Sequence, residues 1–201
     1  MKRVVLLALL ALALPVATFA SSNVDFTNSG GLLTGTNAGL SLTGSTVIAI
    51  NGLYGGGLVT GNLGTLSFST GALTSGDLQM GGTFAAGGTF TITGNGTSGI
   101  PNGVIFSGTF SGPVTWTLIT LPNGTHNYTL TGVLSGTMSN GAQANGVTVQ
   151  LTINTGKKFF NGTTSISSGD TNIVVPEPGT LGLLGTGLVG IAGLVRRKLV
   201  G

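Results

Sequence analysis

The sequence predicts an all-β domain, an antiparallel β-sandwich or jelly-roll-like fold, flanked by an N-terminal signal helix and a C-terminal transmembrane helix. Three observations predict the β domain: apolar and polar residues alternate, Asn-Gly pairs recur, and Thr, Val, Ile and aromatic residues are frequent between them. The seven Asn-Gly pairs begin at Asn51, Asn95, Asn102, Asn123, Asn140, Asn145 and Asn161. This dipeptide favours hairpin turns because both residues accept a positive φ, so successive strands should be antiparallel neighbours.

Two segments show the alternation most clearly. "YTLTGVLSGTMS", from Tyr128, places its larger apolar residues on one face and its hydroxyl residues on the other. "VTVQLTIN", from Val147, places four aliphatic residues inward and turns Thr148 and Gln150 toward water. The whole pattern predicts strands at residues 46–51, 64–70, 82–94, 103–111, 114–121, 126–138, 146–155 and 163–174.

Two regions are less well defined. The chain before about residue 60 is weakly patterned and is predicted to be loose or an edge strand. "GGTF" occurs at Gly81 and again at Gly87, and "SGTF" at Ser107, but no repeat continues beyond them. A β-solenoid is therefore kept as the alternative fold.

The body of the chain is almost uncharged. Charged residues make up 5% of the sequence, against about 25% in typical soluble domains. The formal charge of +3 comes from the chain ends, since between residues 21 and 175 three Asp outnumber Lys157 and Lys158. Without a basic patch to neutralise phosphates, nucleic-acid binding is not expected. Cys is absent, so disulfides and thiol chemistry are excluded.

The N-terminal segment has the three-part order of a secretory signal peptide: Lys2 and Arg3, an apolar run from Val4 to Leu14, then small residues. Eleven apolar residues rise only about 16 Å as a helix, too short for a membrane core of about 30 Å. We predict removal of residues 1–20 by signal peptidase after Ala20, which leaves a β domain over residues 21–174.

The C-terminal segment, residues 175–201, combines three features. Pro176 and Pro178 hold their neighbours in extended conformations around Glu177. Residues 179–195 carry no charge and are just long enough to span a bilayer. The basic residues Arg196, Arg197 and Lys198 follow, which keeps the tail in the cytoplasm and the β domain outside.

"VPEPGTLGLLGTGLVGIAGLVRRK", from Val175 to Lys198, resembles the PEP-CTERM sorting signal. Val175, Pro176, Glu177 and Pro178 supply the motif, followed by the helix and an arginine-rich end. The resemblance implies recognition by an exosortase, a membrane-embedded cysteine peptidase or transpeptidase of Gram-negative bacteria that often make exopolysaccharide. It covers only the last 25 residues or so and implies nothing about the β domain.

The body offers few groups for catalysis. His126 is the one histidine in the sequence, and we predict that it is a solvated turn residue. A catalytic triad of Ser, His126 and Asp is not supported by any nucleophile motif. Asp25, Asp77 and Asp170 are far apart in sequence, so no metal site is expected. We therefore predict a protein that is not an enzyme and has no catalytic, cofactor-binding or metal-binding residues; a secreted hydrolase is the least favoured alternative.

Trp116 and Tyr128 admit two interpretations. They are predicted as core residues on alternating strands, and the alternative is a platform on which sugars stack. The predicted function is that of an exported structural or interaction protein of the cell surface or extracellular matrix, held briefly in the inner membrane and associated with exopolysaccharide or biofilm. A carbohydrate-binding module of the same matrix is the alternative.

Overall fold

The computed structural model describes residues 21–176, and within them the side chains of residues 23–174. These residues form thirteen β-strands and one 3-10 turn, Leu53–Gly55. The strands are β1 (Ser21–Ser29), β2 (Leu32–Thr36), β3 (Gly39–Asn51), β4 (Val59–Ser69), β5 (Leu73–Asp77), β6 (Gly81–Phe84), β7 (Gly87–Asn95), β8 (Asn102–Phe110), β9 (Val114–Thr120), β10 (His126–Met138), β11 (Gln143–Gly156), β12 (Thr163–Ser165) and β13 (Ser168–Pro176).

Eight of the described strands close into an antiparallel barrel. Their order around the ring is β1, β3, β4, β7, β8, β10, β11 and β13, and β13 pairs with β1. The prediction of an all-β antiparallel domain is confirmed, whereas the sheet closes on itself instead of forming a sandwich, and it is not a solenoid. Alternation and turns predict strands and hairpins, but closure depends on pairing between the first and last strands, which no local pattern encodes.

Two long strands each serve two partners along one edge. The first part of β3 pairs with β2, and the second part of β3 pairs with β1. Strand β2 also pairs with β12. In the same way the first part of β10 pairs with β9 and its second part with β8. The sheet β9–β6–β5 therefore branches from the barrel.

The predicted strands from residue 102 to 156 match β8 to β11 closely. The strand predicted at residues 46–51 is confirmed as the second part of β3. The prediction of a loose region or edge strand before residue 46 is wrong, because β1, β2 and the first part of β3 lie there and bury apolar side chains such as Phe26, Leu33 and Leu42. Glycines interrupt the alternation there, and this weakened the pattern in the sequence.

The Asn-Gly pairs occupy several kinds of turn. Those at Asn95, Asn123 and Asn140 lie in the β7–β8, β9–β10 and β10–β11 hairpins. The pair at Asn145 lies inside β11. Val147 pairs with Leu134 of β10, whereas Asn145 pairs with Ser135, the next residue of β10. Gly146 is the extra residue of this β-bulge, with a φ of 75° that glycine adopts without strain.

Aromatic side chains form two clusters in the core. Phe68, Phe90, Phe106 and Phe110 contact one another inside the barrel, mostly edge to face. At the branched end Trp116 stacks on Tyr128 with ring centroids 4.8 Å apart, and Phe160 packs against both. An eight-stranded barrel is just wide enough for side chains to fill, so its interior is a packed core.

Candidate functional sites

A groove with a volume of about 400 Å³ lies on the outer face of four neighbouring strands. Strand register places Thr115, Thr131, Gln150 and Asp170 in one row across β9, β10, β11 and β13. Val133, Thr148 and Asn172 form the next row. Pro113, Gly132 and Val149 complete the lining. The groove follows from the branch at β10, where β9 joins the strands of the barrel wall.

The groove combines hydrogen-bonding groups with an apolar floor. The Thr131 hydroxyl donates to the Thr115 hydroxyl at 3.1 Å, while the amides of Gln150 and Asn172 and the Asp170 carboxylate line the same hollow. Hydroxyls and amides beside aliphatic carbon suit an uncharged polar ligand. The outward direction of Thr148 and Gln150 was predictable from the alternation, but the pairing that brings Asp170 and Asn172 beside them was not.

Asp170 acts on Asp25 through space, although the two residues are far apart in sequence. Partial burial raises the pKa of Asp25, and the negative charge of Asp170 raises it further. The two residues lie on the neighbouring strands β1 and β13. Within residues 23–174, they do not join a group of three or more His, Asp or Glu side chains of the kind that holds a metal ion.

Trp116 and Tyr128 are core residues. Both are almost fully buried, so their ring faces are not available to a sugar. The Trp116 indole Nε1 donates to the Leu78 carbonyl at 2.8 Å, and the Tyr128 hydroxyl donates to the Gln79 carbonyl at 2.6 Å. The pair therefore anchors the β5–β6 turn, and the sugar-platform interpretation is wrong.

His126 begins β10 and is 9% exposed, so the prediction of a solvated turn residue is wrong. Its ring stacks on Phe159 at 4.2 Å, and Nδ1 lies 3.0 Å from the Thr120 hydroxyl oxygen. The turn predicted around it ends one residue earlier, so the histidine belongs to the strand and is covered by an aromatic ring. A threonine hydroxyl is the hydrogen-bonding partner that the structure gives it, which explains how its polar ring is accommodated.

The first and last strands meet side by side. Because an even number of strands alternate in direction around the ring, β13 runs antiparallel to β1. A Cβ atom added to Gly169 would lie 2.6 Å from Asn28 Oδ1, which places these residues next to each other. If Gly169 lies opposite Asn28 in this antiparallel pair, Val174 lies opposite Asn23. The first residues of β1 and the last residues of β13 are therefore at the same end of the barrel.

The residues from the end of β13 onward resemble a known family of sorting signals. Residues 174–198 match the family model of the PEP-CTERM protein-sorting motif. The chain carries a PEP-CTERM sorting motif. No curated protein and no solved structure matches the chain significantly.

The PEP-CTERM motif implies an exported protein with a C-terminal membrane-anchoring sorting signal and processing by an exosortase-type enzyme. The match begins at Val174, inside β13, so the motif overlaps the last strand. Val175 and Pro176 end that strand, and their side chains are outside the described part. Ala20, Glu177, Pro178 and the basic residues Arg196, Arg197 and Lys198 also lie outside the described residues.

The predicted helix at residues 179–195 lies outside the described range as well. Within residues 21–176, no helix is long and apolar enough to cross a membrane.

Proposed function

We propose that this protein is a non-enzymatic β-barrel domain that is delivered to the surface or polysaccharide matrix of a Gram-negative bacterium. A signal peptidase removes residues 1–20, the C-terminal segment holds the precursor in the inner membrane, and an exosortase-type enzyme then processes it. The PEP-CTERM motif at residues 174–198 carries the proposal. The nearly uncharged body, with hydroxyls and amides outward, supports a role in a hydrated polysaccharide environment.

Replacement of Glu177 tests the sorting step. In an exosortase-containing host, Glu177→Ala should leave the full-length precursor in the membrane fraction, because the central charged residue of the motif is lost. Thr180→Ala, three residues along and outside the Pro-Glu-Pro triplet, is the matched control and should be processed as the unmodified protein is. Intact mass and cell fractionation measure both outcomes, and normal processing of Glu177→Ala would contradict the proposal.

Carbohydrate binding is a second candidate, favoured by the composition of the outer groove. Gln150, Asp170 and Asn172 offer both donors and acceptors beside the exposed aliphatic side chain of Val133. Sugars present the same mixture of hydroxyls and aliphatic carbon. The buried Trp116 and Tyr128 have no part in this version of the proposal.

Saturable binding to the host's exopolysaccharide should be weakened at least about tenfold by Gln150→Ala together with Asn172→Ala, since each lost hydrogen bond contributes about 1 kcal/mol. Thr65→Ala, on the exposed face of β4, is the control and should bind normally. Binding that does not saturate, or that survives the double substitution in a folded protein, would count against a specific sugar site.

A further inference from the structure

The seam between β1 and β13 differs from the rest of the barrel in what faces inward. Asn28, Thr171 and Gly169 occupy buried positions where other strands place Phe, Leu or Ile. The Asn28 amide nitrogen donates to the Ser45 hydroxyl at 2.7 Å, but Asn28 Oδ1 and the Thr171 hydroxyl are buried without a hydrogen-bond partner among the described residues. A buried polar atom left in this state destabilises the strands that carry it. Two of the three buried side-chain atoms without a partner among the described residues thus lie at this seam, and the third, Asn127 Oδ1, lies on β10.

The outer end of β13 is held on one side. Its ladder with β11 runs from Ser168 to Asn172 and goes no further among the described pairs, while β13 continues to Pro176 beside β1. Ile173, the last described inward residue, is fully buried, and Val24 on β1 is buried at the same level. Among the described strands, β1 is therefore the ladder partner of the last residues of β13, and the buried side chain of Ile173 adds core packing.

The sorting motif begins in the part of β13 that has no β11 partner among the described pairs. The match starts at Val174, one residue after the buried Ile173, and Glu177 follows three residues later. No spacer in the sequence separates the last core residue from the motif. A peptidase binds its substrate as an extended chain, so residues paired in a β-ladder are accessible only when the ladder opens.

We propose that the β1–β13 seam controls the sorting cut: the exosortase-type enzyme acts on an already closed barrel, at a rate set by opening of the outer end of β13. This inference rests on the proposed function. The cut breaks one peptide bond on the membrane side of Val175; its carbonyl carbon passes to water or an acceptor nucleophile, and its nitrogen leaves with the membrane segment as an amine. When cleavage is slower than reclosing, its rate follows the population of the open form.

Two substitutions in the seam should change processing in opposite directions. Val24→Ala, about 150 residues before the motif, should speed conversion of precursor to mature protein at least about threefold, because loss of buried methyl groups favours opening. Thr171→Val should slow conversion at least about twofold, because it replaces a buried unpartnered hydroxyl with a methyl group. Val114→Ala, equally buried but on β9 outside the ring, is the matched control and should leave the rate unchanged.

A third variant keeps the seam intact through Val175. Insertion of Gly-Ser-Gly-Ser between Val175 and Pro176 should speed processing, because the enzyme then reaches extended chain without opening β13. Pulse-chase labelling in the exosortase-containing host measures the rates, and intact mass locates the mature C-terminus, which should retain β13 through Val175. Equal rates for all variants, a slower Val24→Ala protein, or a C-terminus before Val174 would overturn the proposal.

Glu177→Ala separates the two proposals. If its precursor accumulates while the seam variants are processed at the normal rate, the control by the seam is wrong and the sorting assignment stands. If Glu177→Ala is processed normally, the sorting assignment itself is wrong.

Discussion

Glycines inside the barrel make room for phenylalanine rings. A Cβ atom on Gly132 would lie 2.6 Å from Phe110 Cε1, and one on Gly136 would lie 2.6 Å from Phe106 Cζ. Both distances are shorter than carbon atoms tolerate, so each missing side chain is part of the packing. Alternation of very small and very large residues lets a narrow barrel hold several rings. Part of the unusual glycine content therefore has a steric origin.

Gly136→Ala should lower the free energy of unfolding by about 1–3 kcal/mol, the usual cost of overpacking a core. Gly112→Ala is the matched control, since a Cβ atom there would meet no atom within 4 Å, and it should change stability little. Chemical denaturation followed by tryptophan fluorescence compares the two, because Trp116 is buried in the native state. A Cβ atom on Gly136 would also meet the backbone carbonyl oxygen of Ser107, so equal stability of both variants would show that the Phe106 ring and this backbone both move away at no cost.

Asp25 makes stability depend on pH. Burial and the charge of Asp170 raise its pKa in the folded state, so the folded protein holds this proton more tightly than the unfolded chain. Its contribution is fully present below the unfolded pKa of about 4 and is lost as pH rises through the raised folded value.

Asp25→Asn should therefore stabilise the protein at pH 7 relative to the unmodified protein, with a smaller difference at pH 3.5. Thermal unfolding at the two pH values measures this. Asp77→Asn should act in the opposite direction at pH 7, because the Asp77 carboxylate accepts hydrogen bonds from the Gln79 and Met80 N–H groups. A pH-independent effect of Asp25→Asn would argue against electrostatic strain at this position.

At the scale of elements, the β5–β6 hairpin is tied to the core through its turn. Strand β5 is an exposed edge strand, yet Trp116 and Tyr128 bind the carbonyls of Leu78 and Gln79 in the turn that follows it. The Tyr128 hydroxyl also accepts the Phe160 N–H at 3.0 Å. One phenol thus connects the hairpin to the segment before β12.

Tyr128→Phe should cost about 1–3 kcal/mol, because it leaves the Gln79 carbonyl and the Phe160 N–H without their partner. The control is Tyr54→Phe, which removes a hydroxyl that bonds Ser139 at an exposed site and should have little effect. Proteolysis within residues 73–84 should increase in Tyr128→Phe alone. Unchanged stability would show that water replaces the phenol at low cost.

Predictability from sequence also differs between elements. β11 was predictable because four aliphatic residues alternate without interruption from Val147, and Asn140 marks the turn before it. β10 was predictable because its large apolar residues share one face, although Gly132 and Gly136 stand between them. β5 was missed because "LTSGD" has a single apolar residue and is held by contacts of its turn. The groove was missed because its rows combine residues from four strands, and only tertiary pairing brings them together.

For the whole molecule, closure depends on the two terminal strands. Asn23 and Val174 lie at the same end of adjacent strands, so a short linker can join them without crossing the barrel. The Asn123-Gly124 turn between β9 and β10 is exposed and suits new chain ends.

A circular permutant that joins Val174 to Asn23 through Gly-Ser-Gly and opens the chain between Asn123 and Gly124 should fold to the same barrel. Circular dichroism and cooperative thermal unfolding would test it. A second permutant, opened after Gly132 within β10, interrupts a strand shared by two sheets and should not fold cooperatively. Failure of the first permutant would show that β1 and β13 do not meet as described.

The side-by-side exit of the two ends also determines how the barrel responds to mechanical load. Force that separates the ends of neighbouring antiparallel strands acts across their ladder, so the hydrogen bonds break one after another, beginning beside Asn23 and Val174. Strands pulled from opposite ends would instead have to break the same bonds together. A barrel pulled by both chain ends would therefore unzip at low force, and release of either end would take the load off the seam.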